Sequence, residues 1–267
     1  MNDNGKDYIQ VNKALWNKWT TQHVESDFYN MEGFKAGKTS LQEIELELLR
    51  DISGLSLLHL QCHFGQDSLS LARMGAKVTG VDLSDTAIYE ARKLNDELGL
   101  DARFINCDLY SLPEQLDEQF DIVFTTYGTI GWLPDLDEWA GVVDRFLKPG
   151  GKFIFAEFHP VVWMHNTEFT EIEYSYFKRA AIIEMENGSY ANRQAPSKLE
   201  YISWNHSLDE PITALLDRGL RLVSFKEYPF SPYKIFDSMV EYEKGRYHIK
   251  GLEDKVPLVY SLEMIKA

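Results

Sequence analysis

Residues 57–65 read LLHLQCHFG, an apolar run that passes into a polar loop closed by Gly65. A short apolar run bounded by such a loop is typical of a buried β-strand. The helical pattern that follows stops near Gly75, and a second strand-like run at residues 77–81 ends at Asp82. A strand, a helix and a second strand in this order indicate a βαβ unit with parallel strands.

The same alternation of strands and helices continues along the chain. A third strand is predicted at residues 103–107, just before Asp108, a fourth at 120–125 and a fifth at 152–158. Asp135 is a suitable N-cap for the helix between the last two strands. The pattern predicts an α/β protein with a doubly wound, mostly parallel sheet.

Charge and composition narrow the classes of partner. The chain has 42 Asp and Glu residues against 27 Lys and Arg, a formal net charge of −15. A surface this acidic repels phosphates, so we expect neither nucleic acid nor a membrane as a partner. Residues 1–6 are polar and no apolar run is long enough to span a bilayer, so a cytoplasmic protein is expected. The sequence does not indicate an oligomeric state.

Two acids stand where predicted strands end. Asp82 lies 21 positions after Gln61, near the spacing seen in nucleotide-binding sheets. Ligands bind at the carboxyl ends of strands in open parallel sheets. There, an acid after the second strand can accept hydrogen bonds from both ribose hydroxyls, and an acid after the third strand, Asp108, can reach an adenine amino group. Together they predict an adenosine site.

Four segments resemble the class I S-adenosylmethionine-dependent methyltransferases, in the order and spacing of that family. The segments are HLQCHFG at residues 59–65, VTGVDLS at 78–84, NCDL at 106–109, and FDIVF at 120–124 running on to LKPGG at 147–151. The resemblance covers roughly residues 50–160. It implies a Rossmann-like sheet with one reversed strand near the C-terminus, which residues 257–265 can supply.

The resemblance also implies S-adenosylmethionine as the cofactor and places its parts. The loop after the first strand would hold the methionine part, with Gly65 allowing close backbone approach. Asp82 would bind the ribose, Asp108 and Leu109 would frame the adenine, and Thr126 would lie near the sulfonium. The cofactor-binding residues predicted in this way are His59, Gln61, Cys62, His63, Gly65, Asp82, Leu83, Asp108, Leu109 and Thr126.

The first segment departs from the family pattern. That pattern is usually an acid followed by Gly-x-Gly-x-Gly, whereas here His59 replaces the acid, and Gln61 and His63 replace two of the glycines. The acid normally helps to hold the amino group of the cofactor. The resemblance therefore leaves open how this chain holds that group.

The regions outside the alternating core are expected to shape the acceptor side. Residues 1–54 are predicted to form an N-terminal helical segment that caps the active site, with an amphipathic helix around 41–49. Residues 55–267 are predicted to form the methyltransferase domain. Within it, the aromatic, β-prone stretch at about 161–206 predicts an inserted β-rich lid, with a hairpin turn at residues 187–188.

Candidate catalytic and substrate residues follow from these positions. Tyr127 and His159, just beyond the fourth and fifth strands, are candidates for positioning or deprotonating the acceptor, with structural roles as the alternative. Aromatic and histidine side chains outside the sheet are candidate acceptor contacts, with plain packing as the alternative. They are Trp16, Trp19, Tyr29, Trp132 and His206.

Competing interpretations predict different chemistry. His59, Cys62 and His63 are zinc-ligand types, but no fourth ligand is evident, so no metal is expected. A nicotinamide-dependent oxidoreductase would need glycines at positions 61, 63 and 66, which hold Gln61, His63 and Gln66. A non-catalytic binder of S-adenosylmethionine or another adenosine ligand stays open. The favoured function is methyl transfer to a small molecule by direct displacement, which needs orientation and a dry pocket more than catalytic groups.

Overall fold

The computed structural model describes residues 7–196 and 198–267. Its strands are β1 Ser56–Leu60, β2 Lys77–Asp82, β3 Arg103–Asn106, β4 Phe120–Thr126, β5 Leu147–Phe158, β6 Ile182–Asn187, β7 Lys198–Ser203, β8 Leu220–Tyr228, β9 Met239–Glu243, β10 Arg246–Ile249 and β11 Val259–Lys266. Its helices are α1 Tyr8–His23, α2 Met31–Lys35, α3 Glu43–Leu49, α4 Gln66–Arg73, α5 Asp85–Leu98, α6 Leu112–Gln115, α7 Leu136–Phe146 and α8 Asp209–Asp217. Residues 1–6 of the predicted N-terminal segment, and Ser197 in the predicted insertion, lie outside the described residues.

Seven of these strands form one sheet in the order β3-β2-β1-β4-β5-β11-β8. Strands β1 to β5 pair in parallel, while β11 runs antiparallel to both β5 and β8. The predicted fold class is confirmed: a Rossmann-like, mostly parallel sheet with one reversed strand near the C-terminus.

The helices begin and end at residues with identifiable capping roles. Ser84 Oγ accepts a hydrogen bond of 3.0 Å from the Ala87 amide at the start of α5, and Gly99 ends that helix with a left-handed φ of 62°. Asp135 caps α7 by accepting a bond of 2.9 Å from the Glu138 amide. These caps fix where each helix starts relative to the strand before it.

Both faces of the sheet are covered by apolar side chains. On one face, Trp139 and Phe146 of α7 pack with Phe153 and Phe155 of β5. On the other, α3 packs Ile44 and Leu48 into a cluster with Ile154 and other strand residues. The core therefore lies in two layers around the sheet, and the loops at the carboxyl ends of the strands are left to form a site.

Two local predictions, one about a turn and one about the start of a strand, need correction. Strands β6 and β7 form a hairpin, but Asn187 pairs with Lys198, so the connection spans residues 188–197 and is not a two-residue turn at 187–188. The fifth strand, predicted at residues 152–158, begins earlier, at Leu147. Residues 148–151 form an irregularity within it, because Leu147 pairs with Phe120 and Lys152 pairs with Ile122. The hairpin of β9 and β10 was not predicted.

Across the described residues, no helix combines the length and the apolarity that a membrane span requires.

Candidate active site

A cavity of about 940 Å³ lies at the carboxyl ends of β1, β2, β3 and β4. Its walls are the loops that follow these strands, helix α1, and the segment that carries β6 and β7. Every predicted site residue lines this cavity except His159. The structure thus brings together residues from six separate stretches of the chain, and their individual roles remain predictions.

Asp82 organises the loop after β1. One carboxylate oxygen accepts a bond of 2.8 Å from the His63 amide, and the other accepts one of 2.8 Å from the Ser84 amide. Burial raises the pKa of Asp82 to about 6, although these two amides oppose the shift. A carboxylate has about four acceptor positions, so room remains for the two hydroxyls of a ribose.

Asp108 is held in a turn that leaves one of its oxygens available. Its Oδ1 accepts bonds of 3.1 Å from the amides of Tyr110 and Ser111. Within residues 7–196 and 198–267, no hydrogen bond to Oδ2 is found. The neighbouring Asn106 side chain donates to the carbonyls of Asp82 and Leu83, which ties the ends of β2 and β3 together.

The loop after β1 keeps a glycine-like backbone although two glycines are replaced. Gln61 and His63 have left-handed φ values of 54° and 51°. Gln61 Nε2 donates 2.9 Å to the Thr129 carbonyl, and the His63 ring packs against Trp16 with centroids 5.3 Å apart. Both side chains are thereby drawn into contacts with other elements of the site, at the cost of a strained backbone.

Gly65 is the residue of this loop that a larger side chain would disturb most. Its φ is 80°, and a Cβ there would lie 2.8 Å from a Phe104 ring carbon and 3.0 Å from the Ala91 Cβ. We expect Gly65→Ala to lower the free energy of unfolding by about 2 to 4 kcal/mol, from the left-handed backbone and the overpacking together. Urea unfolding measures this. Gly99→Ala is the control, because its φ is 62° but its Cβ would meet open space. Equal losses in the two variants would contradict the packing argument.

His59 and Cys62 lie beneath the loop. His59 Nδ1 is 2.8 Å from Ser68 Oγ, and burial lowers the pKa of its ring to about 3, so the imidazole is neutral. Burial likewise raises the pKa of the Cys62 thiol. Among the described residues, no group of three or more metal-ligand side chains is assembled, here or elsewhere.

Tyr127 turns sharply out of β4 at the acceptor side. Its φ is 46°, and its hydroxyl donates 2.8 Å to Oε2 of Glu45 on α3. Burial raises the pKa of Glu45 to about 7. Sequence reasoning missed Glu45, although a carboxylate between Leu41 and Leu49 on the apolar stripe of an amphipathic helix was a signal.

Glu157 is a second functional candidate that sequence reasoning missed. This buried carboxylate accepts bonds from the amides of Gly128, Thr129, Ile130 and Phe158, and from the Thr129 hydroxyl. Burial raises its pKa, and the amides oppose that shift. It holds the loop after β4, which carries Trp132. An acid inside the apolar run 153–158 was the available signal.

The prediction of His159 as a catalytic base is not supported. Its Nε2 is 3.0 Å from Glu227 Oε1 on β8, and its Nδ1 accepts 3.2 Å from the Val161 amide. His159 does not line the cavity, although its neighbours Phe158 and Pro160 do, and both ring nitrogens are occupied. His206 does line the cavity, but its nitrogens bond the Leu133 carbonyl and Glu210, so it offers the acceptor no free polar atom.

Helix α1 covers the cavity and is tied to its rim at several points. Asn12 exchanges hydrogen bonds with the backbone of Ile202 on β7, and Trp19 donates 2.7 Å to the Gly188 carbonyl. The ring of Trp16 contacts that of Trp132, with centroids 5.3 Å apart. Tyr29, after α1, hydrogen-bonds Tyr190. Four of the five predicted substrate residues, all except His206, therefore form an aromatic cover that joins the N-terminal segment to the β6–β7 region.

The sheet order, the reversed β11 and an acid-lined cavity at the ends of β1, β2 and β3 together define a class I methyltransferase fold. Residues 57–151 match a family model described as a methyltransferase domain. A ubiquinone biosynthesis O-methyltransferase of Paramagnetospirillum magneticum is 37% identical over 111 residues, which are 41% of this chain and 43% of that protein. The relative YbaJ of Bacillus subtilis, an uncharacterized methyltransferase, is 26% identical over 79% of this chain and 84% of its own length.

Solved structures share the fold at low sequence identity. An S-adenosylmethionine-dependent methyltransferase from Clostridium acetobutylicum matches with a TM-score of 0.59 and 15% identity, covering 95% of this chain and 99% of that one. The geranyl diphosphate C-methyltransferase of Streptomyces coelicolor matches with a TM-score of 0.61 and 16% identity, covering 98% and 99%.

Residues 57–151 are therefore similar to a methyltransferase domain, in the region where the sequence segments predicted one, and the chain shares its fold with solved S-adenosylmethionine-dependent methyltransferases. The matches to the ubiquinone biosynthesis enzymes of P. magneticum and Pseudomonas entomophila span 43% and 62% of those proteins.

Proposed function

We propose that this chain transfers the methyl group of S-adenosylmethionine to a small organic acceptor by direct displacement. The observation that carries the proposal is the convergence of Asp82 and Asp108 on one cavity that also contains the loop 61–65 and Tyr127. The two acids provide acceptors for an adenosine, and Tyr127 lies beyond the loop that receives the methionine part.

The cofactor, when bound, supplies a methyl group on a positively charged sulfur. The chain's own residues orient the reactants and exclude water. One wall of the cavity is apolar and is formed by Trp16, Trp19 and Trp132. The ring of Trp16 contacts the rings of both other tryptophans. Glu157 holds the loop on which Trp132 is carried.

Tyr127 and Glu45 provide a route for an acceptor proton. The Tyr127 hydroxyl already donates to Glu45, whose pKa of about 7 suits a group that takes up a proton near neutral pH. As the acceptor gives its proton to Tyr127 Oη, Tyr127 passes its own proton to the carboxylate. An acceptor that carries no proton on the attacking atom needs no such step.

The charge of the cavity favours a neutral or cationic acceptor over an anionic one. Among the described lining residues, nine are carboxylates and one is a guanidinium: Asp67, Asp82, Asp108, Glu157, Glu168, Glu171, Glu173, Glu184, Glu186 and Arg193. Relatives named as O-methyltransferases make hydroxyl compounds the first acceptors to screen, followed by amines.

The proposal predicts that the purified chain binds both S-adenosylmethionine and S-adenosylhomocysteine, as measured by isothermal titration. Asp108→Ala should weaken S-adenosylhomocysteine binding about tenfold, since one charged acceptor for the adenine is lost. Asp101→Ala is the control, because Asp101 is exposed and precedes β3 at the amino end of that strand, whereas the cavity lies at the carboxyl ends. A wild-type chain that binds neither ligand would refute the proposed function. Production of S-adenosylhomocysteine across the acceptor panel then identifies the acceptor class.

A further inference from the structure

The first turn of α4 carries an acid that the family resemblance did not assign. Asp67 lies two residues beyond Gly65 and lines the same cavity as His59 and Gln61. In the family pattern, an acid at the position of His59 helps to hold the amino group of the cofactor. This chain has no acid there, so the ammonium needs another counter-charge.

His59 cannot provide that charge. Its imidazole is neutral at physiological pH, because burial lowers its pKa to about 3. Its Nδ1 is engaged 2.8 Å from Ser68 Oγ, and Ser68 directly follows Asp67. The residue at position 59 thus anchors the first turn of α4, the turn that presents Asp67 to the cavity.

A cation bound in the cavity would stabilise the ionised form of the Asp67 carboxylate. No lysine, arginine or histidine in the described part of the chain contributes to its titration; burial raises its pKa, and a hydrogen bond from Ser40 opposes the shift. Its charge also raises the pKa values of Glu45 and Tyr127. Two neighbouring carboxylates with little solvent are stabilised when a positive group binds between or beside them.

We propose that Asp67 binds the ammonium group of S-adenosylmethionine and replaces the acid that the family motif carries at position 59. The inference rests on the proposed function, because it requires the cofactor to lie in this cavity. It concerns only the amino-acid end of the cofactor, whereas Asp82 and Asp108 face the adenosine end.

Two ligands separate the two ends of the cofactor. S-adenosylhomocysteine has the ammonium group, whereas 5′-methylthioadenosine has the same adenosine and thioether without the amino-acid part. By isothermal titration, Asp67→Asn should weaken S-adenosylhomocysteine binding at least about tenfold, the loss expected for one charge-assisted hydrogen bond. Binding of 5′-methylthioadenosine should change less than about twofold, which also shows that the variant is folded.

Asp85→Asn is the matched control. Asp85 lies in the first turn of α5, is mostly exposed and does not line the cavity, so neither ligand should be affected. Wild-type affinity of Asp67→Asn for S-adenosylhomocysteine would overturn the role of Asp67, as would an equal loss for both ligands. If the wild-type chain itself binds neither S-adenosylmethionine nor S-adenosylhomocysteine, the proposed function fails instead.

Discussion

Asp82→Ala is expected to weaken S-adenosylhomocysteine binding by about 100-fold or more. The variant lacks the carboxylate that we propose accepts a charge-assisted hydrogen bond from each ribose hydroxyl in a buried site. The His63 amide would also lose its acceptor, so the loop that receives the methionine part would no longer be held. Isothermal titration of the purified variant measures the loss.

The pH dependence of the wild-type chain provides a second measurement of the same residue. Burial raises the pKa of Asp82 to about 6, so lowering the pH through that value protonates the carboxyl and removes acceptor capacity. Affinity should therefore be full above about pH 7 and fall as the pH drops below about 6.

The control for Asp82→Ala is Asp101→Ala, at the amino end of β3, which should retain wild-type affinity. A folded Asp82→Ala variant with unchanged affinity would remove the basis for the adenosine site.

Glu157→Gln is expected to lower the free energy of unfolding by about 2 to 4 kcal/mol. Each carboxylate oxygen accepts two or three hydrogen bonds, so an amide NH₂ in place of either oxygen would face donors instead of accepting from them. At the size of this chain, the loss corresponds to a fall in Tm of about 4 to 7 °C. Thermal unfolding measures it.

Hydrogen exchange locates the effect of Glu157→Gln. The amides of Gly128, Thr129 and Ile130 should lose protection, since their acceptor is the altered side chain. Glu118→Gln is the control, because it alters an exposed pair with Arg103 that contributes little to stability. An unchanged Tm together with unchanged exchange at the three amides would show that the carboxylate does not hold this loop.

The parts of the fold that could be predicted from the sequence are those that depend on residues close together in the chain. Apolar runs and caps located the core strands and helices to within a residue or two, except that β5 begins five residues before its predicted start, since each depends on a few neighbouring side chains. Asp82 and Asp108 were found by the same logic, because parallel strands end at one edge of the sheet. Their placement in one cavity follows from strand order, which the family resemblance implied.

Other parts of the site depend on contacts between distant positions. Asn12 and Ile202 are 190 positions apart, yet they fasten α1 to β7 over the cavity. Glu45 meets Tyr127 across 82 positions, and His159 turns to Glu227 across 68. No local pattern states which of these side chains will meet.

The sequence by itself determined the class of fold, the positions of Asp82 and Asp108 at the ends of β2 and β3, and the resemblance of residues 57–151 to a methyltransferase domain. These depend on periodicity and on short segments in a set order. Only the tertiary structure decided that Glu157 and Glu45 are buried, that Asp67 lines the cavity and that His159 does not. The physical reason is that the energy of a buried polar group is set by the partners that surround it, and the folded sheet brings those partners together from distant parts of the chain.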